Sequence, residues 1–162
     1  FGSALEQVAA AIVDVAVGTT AAQQESLWRY REAHTEAVNL RGVPHKLDVT
    51  LPLETMVPTV TEIRRLVSAH APHAETWIFG HAGDGNLHVN VTGVDPDDHT
   101  LDEAILEVVA GAGGSISAEH GIGRAKAAHL HLNRTLAEME LARRCKAAFD
   151  PAGILNPGVI LP

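Results

Sequence analysis

Apolar residues recur in two rhythms along this chain, a helical one at both ends and in two central stretches, and a strand-like one between them. Leu5, Val8, Ala9, Ile12, Val13 and Val17 fall near helical spacing and predict a helix over residues 5–17. Gly18-Thr19-Thr20 interrupts it, a second helix is predicted over 21–40, and Gly42-Val43-Pro44 breaks that one. In 46–51, Leu47, Val49 and Leu51 alternate with Lys46, Asp48 and Thr50, the pattern of a half-buried strand. Pro52 closes the strand and an amphipathic helix is predicted over 53–71. Strands over 76–81 and 87–92, a helix over 98–112 and a short fourth strand over 115–118 follow. Helices over 124–132 and 135–149 precede a tail, 150–158, rich in turn formers.

The central order is β-α-β-β-α-β, which predicts an α+β fold: a ferredoxin-like antiparallel sheet with both helices on one face. Helices flank this core at both ends. The expected organisation is one domain over 1–162, with 1–44 a helical lead-in and 124–162 a helical segment and tail. With 46% hydrophobic and 20% charged residues an ordered core is expected, packed mainly by aliphatic side chains because aromatics are only 4%. A net charge of -8 argues against a nucleic-acid surface, which needs clustered Lys and Arg. The single cysteine, Cys145, excludes an intrachain disulfide and fits a reducing compartment, so a cytoplasmic location is expected. No apolar run approaches the roughly 20 residues that span a bilayer. Phe1-Gly2-Ser3 leads straight into a helical pattern, so the chain is expected to be a piece of a longer one.

The stretch His81-Ala82-Gly83-Asp84-Gly85-Asn86-Leu87-His88-Val89-Asn90 carries the chemistry. Asp84-Gly85 between two strand patterns is a hairpin signal, since both residues tolerate positive φ. A loop centred there sets His81 directly opposite His88, with Cβ atoms about 4.5–5.5 Å apart, and Asn90 on the same face. Val89 and Val91 then point towards the helices. Two converging imidazoles can share a divalent cation, and Glu119, just past the predicted fourth strand, is the candidate third ligand. Two His and one carboxylate leave coordination positions open, as catalysis requires, and His120 beside them is a candidate proton acceptor. Spacing alone leaves two readings open: a metal pair, or two surface histidines among the 10 in the chain.

Three motifs in order, residues 80–88, 117–123 and 153–158, resemble the C-terminal domain of FAD-linked oxidases, in the branch acting on D-2-hydroxy acids. The resemblance covers nearly the whole chain. It implies that His81, His88 and Glu119 bind a divalent metal, zinc or manganese, that His120 takes the substrate hydroxyl proton, and that Asn90 contacts substrate. Residues 27–32 and 45–49 match two further family segments, which implies that Arg31, Thr35 and Lys46 face the substrate carboxylate. On the residues alone, Arg31 and Thr35 share a helix face four apart, and Lys46 ends a strand. Asn156 corresponds to a position near the flavin ring. The lysine that often continues that motif is replaced by Val159, so no role is assigned to it.

The family's FAD-binding domain precedes this region and is absent from the chain, so FAD is expected to be held mainly elsewhere and the fragment alone to be inactive. Gly111-Ala112-Gly113-Gly114 suits a helix stop rather than a phosphate loop. The expected partners are a small anionic 2-hydroxy acid, the FAD-binding domain in cis, an electron-acceptor protein or quinone, and a second copy in a homodimer. Two alternatives are a standalone metal hydrolase, for which no oxyanion hole is visible, and a non-catalytic binding domain of the same fold.

Overall fold

The computed structural model describes residues 14–159. The chain divides into two units, Phe1–Ala37 and Val38–Pro162, a boundary nearer the N-terminus than the lead-in expected to end at 44. Most of the helix expected over 5–17 lies outside the described residues, and Asp14 to Val17 are not helical.

In the first unit, helix α1 (Ala21–Glu32) starts at a capping box: Thr20 Oγ1 accepts the Gln23 N–H and the Gln23 side chain accepts the Thr20 N–H. The helix expected to run on to Leu40 instead turns at Ala33, and α2 (His34–Asn39) carries the chain across the boundary.

The second unit holds β1 (His45–Thr50), α3 (Leu53–His70), β2 (Glu75–His81), β3 (Asn86–Thr92) and α4 (Thr100–Gly111). A 3-10 helix (Ala127–Leu132) and α5 (Leu136–Phe149) complete it. The sheet is antiparallel with strand order β1-β3-β2. Alternation decides its two faces. Leu47, Val49, Leu51, Leu87, Val89 and Val91 form one buried cluster with Ile63 and Val67 of α3 and Leu101, Ile105, Leu106 and Val109 of α4. Burying each such side chain contributes about 1.5–3 kcal/mol, so this helix-covered face fixes which residues of every strand point the other way.

The fourth strand expected over 115–118 is reduced to one bridge, Thr50 with Ser115, on the outer edge of β1. That is where a ferredoxin-like sheet places its last strand. Pairing stops there because the next amides are taken elsewhere: Ile116 N–H donates to Asn133 Oδ1 at 2.6 Å, and the N–H groups of 118–120 turn towards the Asp48 carboxylate. The glycines before the bridge end α4, as expected. Gly113 has φ +78, and its N–H and that of Gly114 donate back to Ala110 and Val109 carbonyls.

The helix expected over 124–132 is a 3-10 segment, whereas α5 begins as expected, with a Thr135/Glu138 capping box. None of its residues is buried, and Leu136, Leu141 and Phe149 are exposed.

Asp98 closes the start of α4, where its Oδ1 accepts the Thr100 N–H at 3.0 Å and the Thr100 hydroxyl at 2.6 Å. Those bonds, with His70 beside it, hold the carboxyl at about 2, down from 3.8. A carboxyl whose pKa is lowered by folding stabilises the fold above its ordinary range and ceases to as pH falls through the lowered value. Asp98→Asn should therefore lower the melting temperature at pH 7, and the gap from wild type should close as pH falls from about 4 towards 2. Melting curves across that range that stay parallel would remove this role.

Candidate metal and substrate site

The sheet face opposite the helices carries Lys46, Asp48 and Thr50 from β1, Trp77, Phe79 and His81 from β2, and Asn86, His88 and Asn90 from β3. Lys46 pairs with Asn90, Asp48 with His88 and Thr50 with Asn86. His81, His88 and Asn90 thus share the face expected of them. Their register differs from the expectation. His81 pairs with Asn86, and His88 with Phe79, so the histidines are diagonal neighbours with ring centroids 6.2 Å apart. The loop is four residues long, 82–85, and is set from outside the hairpin: Leu51 N–H donates to the Gly85 carbonyl at 2.9 Å. A shift of two residues keeps every side chain on its face.

Asp48 organises the site. Its side chain is 3% exposed, and Oδ2 accepts three successive backbone N–H groups, from Ala118 at 3.1 Å, Glu119 at 2.7 Å and His120 at 2.9 Å. Burial raises the Asp48 pKa, but the His120 and Glu119 amides and the charges of His120 and Lys126 outweigh it, so the carboxyl lies below its ordinary value. Lys126 is buried too, and its Nζ donates to the Asp48 carbonyl at 2.8 Å. Burial lowers the Lys126 pKa, and the Asp48 charge offsets this in part.

The captured turn brings its side chains to the histidines. Glu119 Oε1 lies 3.3 Å from His81 Nδ1 and accepts from Asn86 Nδ2. The His120 ring stacks on His88 with centroids 5.8 Å apart, and its Nδ1 is 4.0 Å from Asp48 Oδ2. His88 Nδ1 is 3.3 Å from Asp48 Oδ1. The structure thus brings together His81, His88, Glu119 and His120, with Asn90 and Lys46 farther along the same face. Lys46 is exposed and Asn90 is buried.

Arg31 and Thr35 lie in the first unit. Arg31 pairs with Glu32 at 2.6 Å and sits 5.2 Å over the Trp28 ring. Asn156 has a left-handed backbone, φ 45, in an exposed turn of the tail. Asp150 accepts the Ile154 and Leu155 N–H groups just ahead of it.

The donor set fits a divalent cation. Asp48 Oδ1 and Asn86 Oδ1 are buried without a hydrogen-bond partner on this face, an excess of acceptors beside three imidazoles and a second carboxylate. On this face, among the described residues, the group whose ligating atoms lie within 4.8 Å of one another is Asp48, His88 and His120 rather than His81, His88 and Glu119; a second such group, His45, His99 and Asp102, lies elsewhere. Asp48 Oδ2 is already filled by three N–H donors, which suits it better to orienting ligands than to being one. Asp48 and Lys126 were not expected at the site. Alternation did place Asp48 on the polar face, but nothing in the sequence signalled its burial, and Lys126 carried no signal. The 111–114 glycines close a helix, so they do not fit a pyrophosphate cradle, which needs a helix N-terminus.

An antiparallel α+β domain with this polar sheet face matches one flavoenzyme family. The chain belongs to that family, FAD linked oxidases, C-terminal domain, which it matches over residues 3–160. It is 36% identical to D-2-hydroxyglutarate dehydrogenase of Stutzerimonas stutzeri, over 92% of this chain and 34% of that protein. It is 37% identical to the mitochondrial D-2-hydroxyglutarate dehydrogenase of Bos taurus, over 99% of this chain and 30% of that protein. The chain spans about a third of the length of these curated relatives.

Proposed function

We propose that this chain is the substrate- and metal-binding part of a flavin-dependent dehydrogenase that oxidises a D-2-hydroxy acid to a 2-oxo acid. The observation that carries the reading is the Asp48-held turn, which sets Glu119 and His120 against the His81 and His88 face. His81, His88 and Glu119 hold a divalent metal, zinc or manganese. When bound, it polarises the substrate carboxylate and hydroxyl and eases loss of the hydroxyl proton. His120 takes that proton, with Asp48, 4.0 Å away, as counter-charge for the imidazolium that forms. The C2 hydrogen leaves as hydride, for which FAD, held mainly by a domain outside this chain, is the acceptor.

Lys46 and Asn90, paired across β1 and β3, supply a charge and an amide for the substrate, and Arg31 and Thr35 grip its carboxylate. Asn156 faces the flavin, and the exposed apolar residues of α5 dock the FAD-binding domain. An electron-acceptor protein or quinone reoxidises the flavin. Among the described residues no helix is long and apolar enough to cross a membrane. The exposed, unpaired Cys145 suits a reducing compartment, the cytoplasm or, as in the name of the bovine relative, the mitochondrion. The hydrolase alternative gains no support, since both relatives above are named as dehydrogenases.

Anaerobic mixing of the full-length flavoprotein with single 2-hydroxy acids tests this. Flavin absorbance should bleach with a D-isomer and not with its L-isomer. Arg31→Ala should lower kcat/KM about 10- to 100-fold, the loss of a charged hydrogen bond to the carboxylate. Failure of every D-2-hydroxy acid to bleach the flavin would remove the reading. An unchanged kcat/KM in Arg31→Ala would return Arg31 to its helix surface.

A further inference from the structure

We infer that Asp48 is the positioning residue of this site: one buried carboxylate fixes the turn that carries Glu119 and His120 and sets the orientation of His88. The inference rests on the metal and dehydrogenase reading above and adds the part that makes the site rigid.

Residues 117–123 lie between the Ser115 bridge and the 3-10 helix with no ladder of their own, and Gly121 and Gly123 have positive φ. Such a segment gains little fixity from its own backbone. Its shape is set by the convergence of three successive peptide N–H groups on Asp48 Oδ2, a concave amide nest closed by an internal anion. Ser117 Oγ donates to the Gly121 carbonyl at 2.7 Å and closes the turn from the other side.

Asp48 can hold the turn because it is itself held. It sits in β1 between Leu47 and Val49, both in the core, and pairs with His88 in the ladder. Lys126, from the chain beyond the turn, bonds the Asp48 backbone carbonyl and places a positive charge beside the carboxylate. The second oxygen has a separate task. Asp48 Oδ1 is buried without a hydrogen-bond partner and lies 3.3 Å from His88 Nδ1, so it places a negative charge against that side of the ring. A carboxylate that fixes the tautomer and plane of a ligating imidazole is the usual outer partner of a metal-bound histidine. Both oxygens therefore act through neighbours, one on Glu119 and His120, the other on His88.

Hydrogen exchange by mass spectrometry and zinc titration by calorimetry, on chelator-stripped full-length flavoprotein, test this with the isosteric Asp48→Asn. In the wild type the amides of 118–120 should exchange slowly, those of Glu119 and His120 without any backbone acceptor, while Ala118 N–H also reaches the Asp48 carbonyl at 3.3 Å. In Asp48→Asn their exchange should rise at least about 10-fold, and the Kd for zinc should rise about 10- to 100-fold. Flavin absorbance should stay at its wild-type value, which a general loss of structure would not allow.

Fast exchange of 118–120 in the wild type overturns the inference, and that measurement decides it even if Asp48→Asn fails to fold. Wild-type exchange and zinc affinity in a folded Asp48→Asn overturn it equally. Faster exchange with unchanged zinc affinity also overturns it, because the turn would then not serve the ligands. A wild type that takes up no metal sinks the metal reading instead, and the exchange comparison alone then decides for or against Asp48.

Discussion

His88→Ala in the full-length protein should remove the bound metal and lower kcat/KM by about 1,000-fold or more while leaving flavin absorbance intact. His88 occupies the centre of the site: its ring lies 6.2 Å from that of His81, 5.8 Å from that of His120, and 3.3 Å from the Asp48 carboxylate. Removing it leaves Asp48 Oδ1 buried with nothing facing it and, on the proposed metal reading, takes away one of the three ligands. Several kcal/mol of charge stabilisation go with a catalytic metal, and each 1.36 kcal/mol is tenfold in rate. Elemental analysis of protein purified without chelator gives the direct reading: one equivalent of zinc or manganese in the wild type and none in the variant. Full activity in His88→Ala, with metal still bound, would remove the metal assignment.

Gly85→Ala should be one of the two most damaging single-methyl changes in the hairpin, the other being Gly80→Ala, whose Cβ would lie 2.3 Å from the Asn86 carbonyl oxygen. Gly85 has φ +79, and a Cβ there would lie 2.2 Å from the Leu51 carbonyl oxygen. The obstacle is backbone and cannot rotate aside. It also belongs to the residue whose N–H donates to the Gly85 carbonyl, so relief of the clash breaks that bond. Positive-φ strain and overpacking together cost about 2–5 kcal/mol. Gly83, two residues earlier, is the control: it has nothing within 4 Å of its Cβ direction, and Gly83→Ala should stay within about 0.5 kcal/mol. Thermal melting of both variants decides the matter, and equal melting temperatures would mean that the hairpin tip is not seated against β1.

The contrast between those glycines shows where sequence reading succeeds and where it stops. The alternation Lys46 to Leu51 was enough to assign both faces of β1, and the same logic put His81, His88 and Asn90 together. A face is a local property with a period of two. Register is not local. Asp84-Gly85 suggested a loop centred on itself, and the Leu51–Gly85 backbone bond, a contact between distant segments, moved the pairing by two residues.

The fourth strand was lost for a related reason. Residues 115–118 have strand composition, but after Ser115 their amides go to side chains, Ile116 to Asn133, Ser117 to Ser115 and Ala118 to Asp48. Asp48 went unnoticed because a polar residue alternating with Leu47 and Val49 looks like a solvated one. Only the three amides that converge on it explain its burial. Glu119 and His120 were legible through the family motif, which records a result of this packing without its cause.

The capture of residues 118–120 by one strand residue divides the site into two parts of unequal stiffness. His81 and His88 are built into the sheet and can be displaced only if the hydrophobic core moves with them. Glu119 and His120 sit in a turn held chiefly by the Asp48 carboxylate and closed by Ser117, so local opening would release their half first. Heat or denaturant should loosen that turn well before the sheet beneath it gives way.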